Sequence, residues 1–235
     1  MTLQTARHRL QLGRRVRYKE MSMKRLILML MALVLLCNPI VCGRASAQSI
    51  PEDLTDEQNS GNAKNIVVYF SRIGEQYNVG VIEKGNTAIV AEMIAEATGA
   101  DLYEILPADD HYPMTYKELT DVALQEQREG ARPAIEGELP DLSGYETVFV
   151  GAPVWWGDWP MIMYTFFEGT PLFGKTLVPF STHAGSGLSG FDRTLAAAYP
   201  DCTVEKGLAV AGTDAQKNPD KAQISVDKWL EELGF

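Results

Sequence analysis

The chain has 235 residues, 46% of them hydrophobic, and a formal net charge of −10 at pH 7. This acidity argues against nucleic acid or anionic lipid as a partner and favours basic proteins or neutral small molecules. The length suits an N-terminal leader followed by one domain with a complete core.

The N-terminal 47 residues have the composition of an export signal. Lys24 and Arg25 precede an apolar run over residues 26–36, and a small-residue Ala-Ser-Ala sequence ends at Ala47. This order predicts a signal peptide that is cleaved after Ala47, and therefore an exported protein that is periplasmic, secreted or at the cell surface. The apolar run is too short to cross a bilayer comfortably, so we expect no stable membrane span after cleavage. A retained anchor is the alternative.

The leader also carries most of the positive charge that offsets the acidic remainder. It holds nine of the 21 basic residues and one of the 31 acidic residues, so the net charge from Gln48 onward is −18. Residues 1–20 form a possible non-native N-terminal extension, since translation from Met21 or Met23 would omit them. Residues 48–64 are polar and acidic and predict a tether, whereas residues 65–235 predict the folded domain.

From Asn65 onward, strand-like and helix-like segments alternate. The predicted strands are apolar, β-branched or aromatic runs over residues 66–70, 102–106, 147–151, 176–181 and 204–211. The first predicted helix is capped by Asn86 or Thr87 and ends at Thr98; the others cover residues 114–129, 161–168, 189–199 and 219–233. Gly99 and Gly130 are predicted helix stops. Five strands that alternate with five helices predict an α/β fold with a parallel sheet and right-handed crossovers.

Polar residues follow the first predicted strand in a divided loop. The loop begins at Ser71 and resumes at Gly85, Asn86 and Thr87, where the first helix starts. Hydroxyl, amide and N–H groups at a helix N-terminus form an anion site. We therefore expect Asn86 and Thr87 to contact a phosphate, with Ser71 on the far side and Gly85 allowing close approach. A helix that is merely capped after a Ser/Gly turn is the alternative.

Tryptophans follow the third predicted strand. The loop contains Trp155-Trp156-Gly157-Asp158 and then Trp159-Pro160. Aromatic faces stack on other flat π systems, and a glycine lets the backbone approach a ring edge. The loop therefore predicts a wall for a planar aromatic cofactor, and the alternative is an aromatic cluster in the core or at a dimer interface.

The loop after the fourth predicted strand, residues 181–187, is rich in Ser, Thr and Gly and carries His183. Its N–H groups and hydroxyls suit the pyrimidine edge of a flavin. His183 is a candidate for flavin contact or catalysis, and a structural or surface role is the alternative. Open parallel sheets bind ligands outside the carboxyl ends of their strands, so the three loops together predict a site for FMN.

Two further patterns are interpreted as lacking a site. Residues 169–176 match the nucleotide P-loop letter for letter, but a predicted helix precedes them, a predicted strand follows, and Pro171 removes an N–H donor. We therefore interpret the match as chance. Asp109, Asp110 and His111 form a polar turn, for which solvation is the preferred interpretation, and no metal site is predicted.

On these residues the chain resembles flavodoxin-like proteins that have a Trp-Trp-Gly second loop and a Gly-Ser-Gly third loop. The resemblance runs from Asn65 to about Gly190 and implies a five-stranded parallel sheet of order 2-1-3-4-5 with helices on both faces. It implies FMN as cofactor. The implied FMN contacts come from the three loops: Ser71, Arg72, Gly85, Asn86 and Thr87; Pro153, Val154, Trp155, Trp156, Gly157 and Asp158; and Thr182, His183, Ala184, Gly185, Ser186 and Gly187.

The chain departs from the family's compact Ser-x-x-Gly-Asn-Thr loop. Residues 75–84 lie between Gly74 and Gly85, and their partly apolar composition predicts a flap over the site. Asp158, if it faces the ring, would lower the flavin potential.

The resemblance implies an exported FMN-dependent oxidoreductase or electron-transfer flavoprotein. Its partner would be a small-molecule acceptor such as a quinone, or a basic redox protein that takes one electron. The flavin would carry the redox chemistry, so no catalytic side chain is required. His183 is the one candidate for a catalytic side chain. The alternative is a non-redox binding module that keeps the fold and has lost FMN.

Overall fold

The computed structural model describes residues 64–235. The predicted signal peptide and all but the last residue of the predicted tether lie outside the described residues. The strands are β1 (Asn65–Phe70), β2 (Gly74–Gln76), β3 (Gly80–Ile82), β4 (Asp101–Ile105), β5 (Thr147–Pro153), β6 (Thr176–His183), β7 (Thr203–Val204) and β8 (Leu208–Ala211). The helices are α1 (Asn86–Thr98), α2 (Tyr116–Glu129), α3 (Met161–Gly169), α4 (Phe191–Ala198), α5 (Gly212–Lys217) and α6 (Pro219–Leu233). Within this part of the chain, every helix is too short or too polar to cross a membrane.

The central sheet is parallel and runs β4-β1-β5-β6, with both β7 and β8 paired to β6 at the far edge. The predicted α/β fold and strand order are confirmed in outline. The predicted number of five strands is wrong in detail, because the last strand is divided into β7 and β8. Pro179 of β6 lacks an N–H, and a Cβ on Gly207 would lie 2.9 Å from the Pro179 carbonyl oxygen. A continuous edge strand would need that missing donor at this position.

Alternate residues of the strands enter two apolar layers. Ile66, Val68 and Phe70 of β1 belong to one core cluster, and Val67 and Tyr69 belong to the other. The first cluster is completed by α2, α3 and α4, and the second by α1 and α6. Because successive side chains point to opposite faces of a strand, a sheet covered on both faces needs a nearly continuous apolar run. This explains why β1 and β5 were recognisable in the sequence.

The residues inserted in the first loop form a hairpin. Strands β2 and β3 pair in antiparallel register, with Gly74 opposite Ile82 and Gln76 opposite Gly80. Asn78 lies at the turn with a φ of 60°. We call residues 74–82 the hairpin below. It follows β1 directly, so it lies at the carboxyl edge of the central sheet.

Candidate functional site

A cavity of about 420 Å³ lies at the carboxyl ends of β5 and β6. It falls in the size range of small-molecule sites. Its lining combines amide and hydroxyl groups with aromatic rings from the hairpin, α1, α2, the start of α5, and the ends of β5 and β6 with the loops that follow them. The lining residues are Gln76, Tyr77, Asn86, Tyr116, Leu119, Thr120, Ala123, Pro153, Val154, Trp155, Trp156, Thr182, His183, Ala184 and Gly212.

The first loop meets the third loop through buried hydroxyls. Thr87 is 1% exposed, and its Oγ1 lies 2.8 Å from Oγ1 of Thr182. The Ser71 hydroxyl accepts the N–H of Ala88 at 3.0 Å, so Ser71 satisfies a donor in the first turn of α1. The prediction that Asn86 or Thr87 caps the helix is wrong, because the capping position is Gly85. Asn86 and Thr87 are instead the first two helical residues.

Two glycines keep the start of α1 closely packed. A Cβ on Gly85 would lie 2.1 Å from the Ser71 Oγ and 2.7 Å from the Arg72 carbonyl oxygen. A Cβ on Gly212 would lie 2.5 Å from the Asn86 Nδ2. Gly85 is therefore required for close approach of the backbone, whereas a side chain at position 212 would displace the Asn86 amide. We call Asn86, Thr182 and Gly212 the polar wall of the cavity.

Asn86 has an unused hydrogen-bonding atom in this wall. Its Oδ1 is buried and has no hydrogen-bond partner among the described residues. A buried polar atom without a partner costs about 1–3 kcal/mol, so this position is suited to a polar ligand. The amide carries both an acceptor and a donor. The unpartnered Oδ1 fits the hydroxyls of the chain that leads to a phosphate, whereas the Nδ2 donor and the N–H groups at the start of α1 fit the phosphate itself.

The second loop is a tight turn in which Trp156 is exposed and Trp155 is half-buried. Trp155 and Asp158 exchange two backbone hydrogen bonds of 3.0 Å each, and Trp156 and Gly157 between them have φ values of 50° and 80°. These positive values are typical of a two-residue type I′ turn. The Trp155 ring packs edge-on against Phe70 at 5.5 Å. Trp156 is 53% exposed, and its Nε1 donates to the Thr120 carbonyl oxygen at 2.8 Å.

The carboxylate of Asp158 is held away from the cavity. It accepts the Tyr164 hydroxyl at 3.0 Å on each oxygen, and its Oδ1 accepts the Trp159 N–H at 2.8 Å. Burial and the Asp158 charge raise the pKa of Tyr164 to about 12. Asp158 is not among the lining residues. The carboxylate is engaged by Tyr164 on α3, and its expected effect on a flavin potential stays a prediction.

The third loop places a histidine against the cavity. The Nδ1 of His183 accepts the Gly185 N–H at 2.9 Å, which assigns the ring proton of the neutral form to Nε2. Burial lowers the pKa of His183, against an opposing effect of the Asp214 charge. The imidazole is therefore neutral at pH 7 and offers Nε2–H as a donor. The loop is tied to the second loop by the Val154 N–H, which donates to the Thr182 carbonyl oxygen at 2.9 Å.

The lining residues of α2 were not predicted as site residues. Tyr116, Leu119, Thr120 and Ala123 have the spacing i, i+3, i+4 and i+7, so they share one face of the helix. That spacing was the available signal, although the sequence alone does not show that this face covers a cavity. The hairpin adds Gln76 and Tyr77 to the lining, and the first residue of α5 adds Gly212.

Arg72 has a structural position instead of a place in the lining. Its guanidinium is buried and donates to the Asp110 carboxylate at 2.8 Å and to the Tyr112 carbonyl oxygen at 2.9 Å. The positive charge of Arg72 is therefore paired with a carboxylate that lies 38 residues later in the chain. This arrangement was not visible in the sequence, where the family resemblance implied that Arg72 contacts FMN.

The predicted site residues divide into two groups. Those that line the cavity are Asn86, Pro153, Val154, Trp155, Trp156, Thr182, His183 and Ala184. Those outside the lining are Ser71, Arg72, Gly85, Thr87, Gly157, Asp158, Gly185, Ser186 and Gly187. Ser71, Gly85 and Thr87 support the polar wall from behind. Residues 185–187 continue the third loop beyond Ala184, and their contact with a cofactor stays a prediction.

The two patterns interpreted as lacking a site have structural roles. Residues 169–176 join the end of α3 to the start of β6, and the Lys175 Nζ donates to the Leu142 and Tyr145 carbonyl oxygens at 2.7 Å each. The Nε2 of His111 lies 2.9 Å from Oε1 of the buried Glu126 carboxylate. Among the described residues, no group of three or more His, Cys, Asp or Glu side chains is placed to hold a metal ion.

The sheet order and a cavity at the carboxyl ends of its strands define a flavodoxin-like α/β protein. Residues 64–233 match the Flavodoxin family model, and the chain belongs to that family. A candidate flavoprotein from Bacteroides eggerthii DSM 20697 is 30% identical, with 74% of this chain and 99% of that chain covered and a TM-score of 0.57. A candidate flavoprotein from Bacteroides uniformis ATCC 8492 is 28% identical, with 72% and 98% covered and a TM-score of 0.57.

A more distant structure shares the fold. It is a flavoprotein in complex with FMN from Lactobacillus acidophilus NCFM, 20% identical, with 68% of this chain and 97% of that chain covered and a TM-score of 0.51. Among curated proteins, none matches the chain.

Proposed function

We propose that the cavity binds FMN and that the protein is an exported FMN-dependent oxidoreductase or electron-transfer flavoprotein. The observation that carries the proposal is that one cavity joins a polar wall at the start of α1 to the rings of Trp155 and Trp156. FMN has the same division between a phosphorylated chain and a flat aromatic ring. Membership of the flavodoxin family supports the same cofactor. When bound, FMN would supply the redox chemistry by taking up and releasing electrons.

The polar wall and the tryptophan rings of the cavity would hold different parts of FMN. The Asn86 amide and the N–H groups at the start of α1 would hold the phosphate, because both the partial charge of the helix end and the donors favour an anion. Trp155 and Trp156 would contact the ring, and neutral His183 would offer a hydrogen-bond donor to its edge. No charged side chain is required at either end.

The test is an affinity comparison of FMN and riboflavin. The purified protein should be yellow or should take up added FMN with quenching of the flavin fluorescence. Asn86→Asp places a negative charge in a side chain of the same shape, so FMN affinity should fall at least tenfold because of repulsion from the phosphate. Riboflavin affinity should change less than threefold, because riboflavin has no phosphate.

Gln125→Glu is the matched control, since it adds one negative charge on an exposed residue of α2 that does not line the cavity. It should leave both affinities unchanged. An equal loss for FMN and riboflavin in Asn86→Asp would contradict the placement of the phosphate. A wild-type protein that takes up neither flavin would favour the non-redox binding module instead.

Two parts of the proposal rest on the sequence alone. The signal peptide up to Ala47 supports export, and mass spectrometry of the protein purified from its host should give an N-terminus at Gln48. An intact N-terminus would contradict cleavage. The acidic charge of the domain supports a neutral acceptor such as a quinone, or a basic protein partner. Steady-state turnover with a nicotinamide and a quinone separates an enzyme from a one-electron carrier, which would show almost none.

A further inference from the structure

Three aromatic side chains are exposed around the cavity. Tyr77 and Trp156 are each 53% exposed and Tyr116 is 38% exposed, and all three line the cavity. We call these three residues the aromatic mouth. They come from the hairpin, the second loop and the start of α2. Clustered exposed aromatic surface at a cavity marks a place where a ligand or partner binds.

Accepting FMN as the cofactor, we propose that the hairpin side of the aromatic mouth is a second binding site. Its ligand is a neutral, planar aromatic molecule that carries a carbonyl oxygen, and Tyr77, Tyr116 and Gln76 determine the specificity for it. The proposal therefore rests on the proposed function and adds the residues that select the second substrate.

The two tyrosines are positioned before any ligand arrives. Their ring centroids are 5.5 Å apart with an interplanar angle of 33°. The hairpin is fixed to α2 by the Glu75 N–H, which donates to the Met114 carbonyl oxygen at 2.8 Å. The Glu75 carboxylate in turn accepts the Tyr116 N–H at 2.8 Å. Because the rings are held in place, stacking on a ligand would cost little ordering of side chains.

The hairpin is also fixed on its other side. The Lys217 Nζ donates to the Asn78 carbonyl oxygen at the hairpin turn at 3.1 Å, and the Gln216 Nε2 donates to the carbonyl oxygen of Lys84, two residues beyond the hairpin, at 2.7 Å. Both donors belong to α5, which follows the edge strand β8. The hairpin is therefore anchored to two helices. This favours a preformed wall with a defined shape over a loose flap.

Gln76 identifies the polar part of the ligand. Its Nε2 is buried and has no hydrogen-bond partner among the described residues, although the side chain lines the cavity. A ligand with a carbonyl oxygen would satisfy this donor. Gln76 and Tyr77 line the same cavity, so a ring that stacks on Tyr77 would lie within reach of Gln76. A flat ring with a carbonyl oxygen is the structure of a quinone.

The hairpin side of the cavity offers no charge to a second ligand. Of the 15 described residues that line the cavity, none is Lys, Arg, Asp or Glu, and His183 is neutral at pH 7. The FMN phosphate would occupy the N–H groups at the start of α1, so a dinucleotide would bring a pyrophosphate for which no further anion site is left. A neutral ring gains stacking and one hydrogen bond without leaving a charge unpaired.

The test uses the FMN-loaded protein, with menadione as the probe and isothermal calorimetry of the oxidised protein as the readout. Tyr77→Ala should raise the dissociation constant of menadione about three- to tenfold, because one stacked ring is lost. Gln76→Leu should raise it by a similar factor through loss of the donor. Tyr77→Phe should bind menadione as the wild type does, since it keeps the ring. The dissociation constant of FMN should stay within twofold in all three variants.

Val81→Ala is the control on the same hairpin, because Val81 is 81% exposed and does not line the cavity. It should change neither constant. If Tyr77→Ala and Gln76→Leu both bind menadione normally while FMN is retained, the second site is wrong and the proposed function stands. If Tyr77→Ala loses FMN, the tyrosine contacts the cofactor itself and the assignment is overturned. A wild-type protein without FMN overturns both proposals.

Discussion

The polar wall and the aromatic mouth are built in different ways. The polar wall is supported by main chain and small side chains at the start of α1, where Thr87 is buried against Thr182 and a Cβ on Gly85 would collide with its neighbours. The aromatic mouth consists of large, half-exposed rings whose elements are joined by single hydrogen bonds, such as that from the Trp156 Nε1 to the Thr120 carbonyl oxygen. Substitutions in the buried support of the polar wall should therefore affect folding and binding together, whereas substitutions in the mouth should affect mainly binding.

The largest effect is expected from Gly85→Ala. The added Cβ would meet the Ser71 Oγ and the Arg72 backbone, which are held by the first turn of α1 and by the buried Arg72 ion pair. The free energy of unfolding in urea should fall by about 2–3 kcal/mol, and FMN binding should be lost.

Gly144→Ala is the matched control for Gly85→Ala. A Cβ on Gly144 would have no neighbouring atom within 4 Å, and its φ lies outside the left-handed region. It should change the free energy of unfolding by less than about 0.5 kcal/mol. Equal stability of the two variants would show that the start of α1 is not closely packed.

A smaller effect is expected from the two buried threonines. Thr87→Val leaves the Thr182 hydroxyl without its partner and should lower the free energy of unfolding by about 1–2 kcal/mol. Thr182→Val should act in the same way. In the double variant neither hydroxyl remains without a partner. Its loss in free energy of unfolding should therefore be about 1 kcal/mol smaller than the sum of the losses in the two single variants. Additive losses in urea unfolding would mean that the two hydroxyls do not depend on each other.

Trp156 tests the aromatic side of the comparison. Trp156→Phe keeps a ring but removes the Nε1 donor to the Thr120 carbonyl oxygen. The free energy of unfolding should fall by only about 0.5–1 kcal/mol. FMN affinity, measured by fluorescence titration, should fall about threefold in this variant and about tenfold in Trp156→Ala, which removes the ring. A loss of stability as large as that of Gly85→Ala would remove the distinction between the two regions.

The smallest effect is expected from two histidines that titrate in opposite directions. Burial alone would lower the pKa of His111, but hydrogen bonds to Glu126 and the Asp109 carbonyl and the two carboxylate charges outweigh it and raise that pKa above 6.5. Burial lowers the pKa of His183 below 6.5. NMR titration of the imidazole signals, assigned with His111→Gln and His183→Gln, should give one pKa on each side of 6.5.

The two shifts have opposite consequences for stability. The contribution of His111 is complete below pH 6.5 and is lost as the pH rises through its raised folded pKa. The contribution of His183 is present above pH 6.5 and is lost as the pH falls toward its lowered folded pKa. His111→Gln should therefore remove a decline in stability above pH 6.5, as measured by urea unfolding between pH 5 and 8. Two pKa values on the same side of 6.5 would contradict these environments.

The sequence predicted the helices and strands that are determined by their own residue pattern. Strand β1 and helix α6 were found because a continuous apolar run and a Pro-initiated helical pattern need no distant partner. The short elements were missed or misjudged for the opposite reason. Strands β2 and β3 have three residues each and depend on α2 and α5 for support, and the break between β7 and β8 depends on Pro179 in the neighbouring strand.

The candidate site divides in the same way. Loops at strand ends were predictable because parallel strands bring their carboxyl ends to one edge. The orientations within them were not: Asp158 turns to Tyr164 on the following helix, and Arg72 pairs with Asp110, 38 residues away. The spacing on α2 indicates a shared face but not that this face reaches the cavity, which depends on tertiary packing. The insert was predicted to lie over the site, but its pairing as a hairpin was not.

The most direct measurement is a crystal structure of the protein with FMN. We expect flavin density in the cavity, with the phosphate within hydrogen-bond distance of the Asn86 amide and the ring in contact with Trp155 or Trp156. Density for FMN on another surface, or a phosphate that lies at the aromatic mouth with the ring against the polar wall, would contradict it.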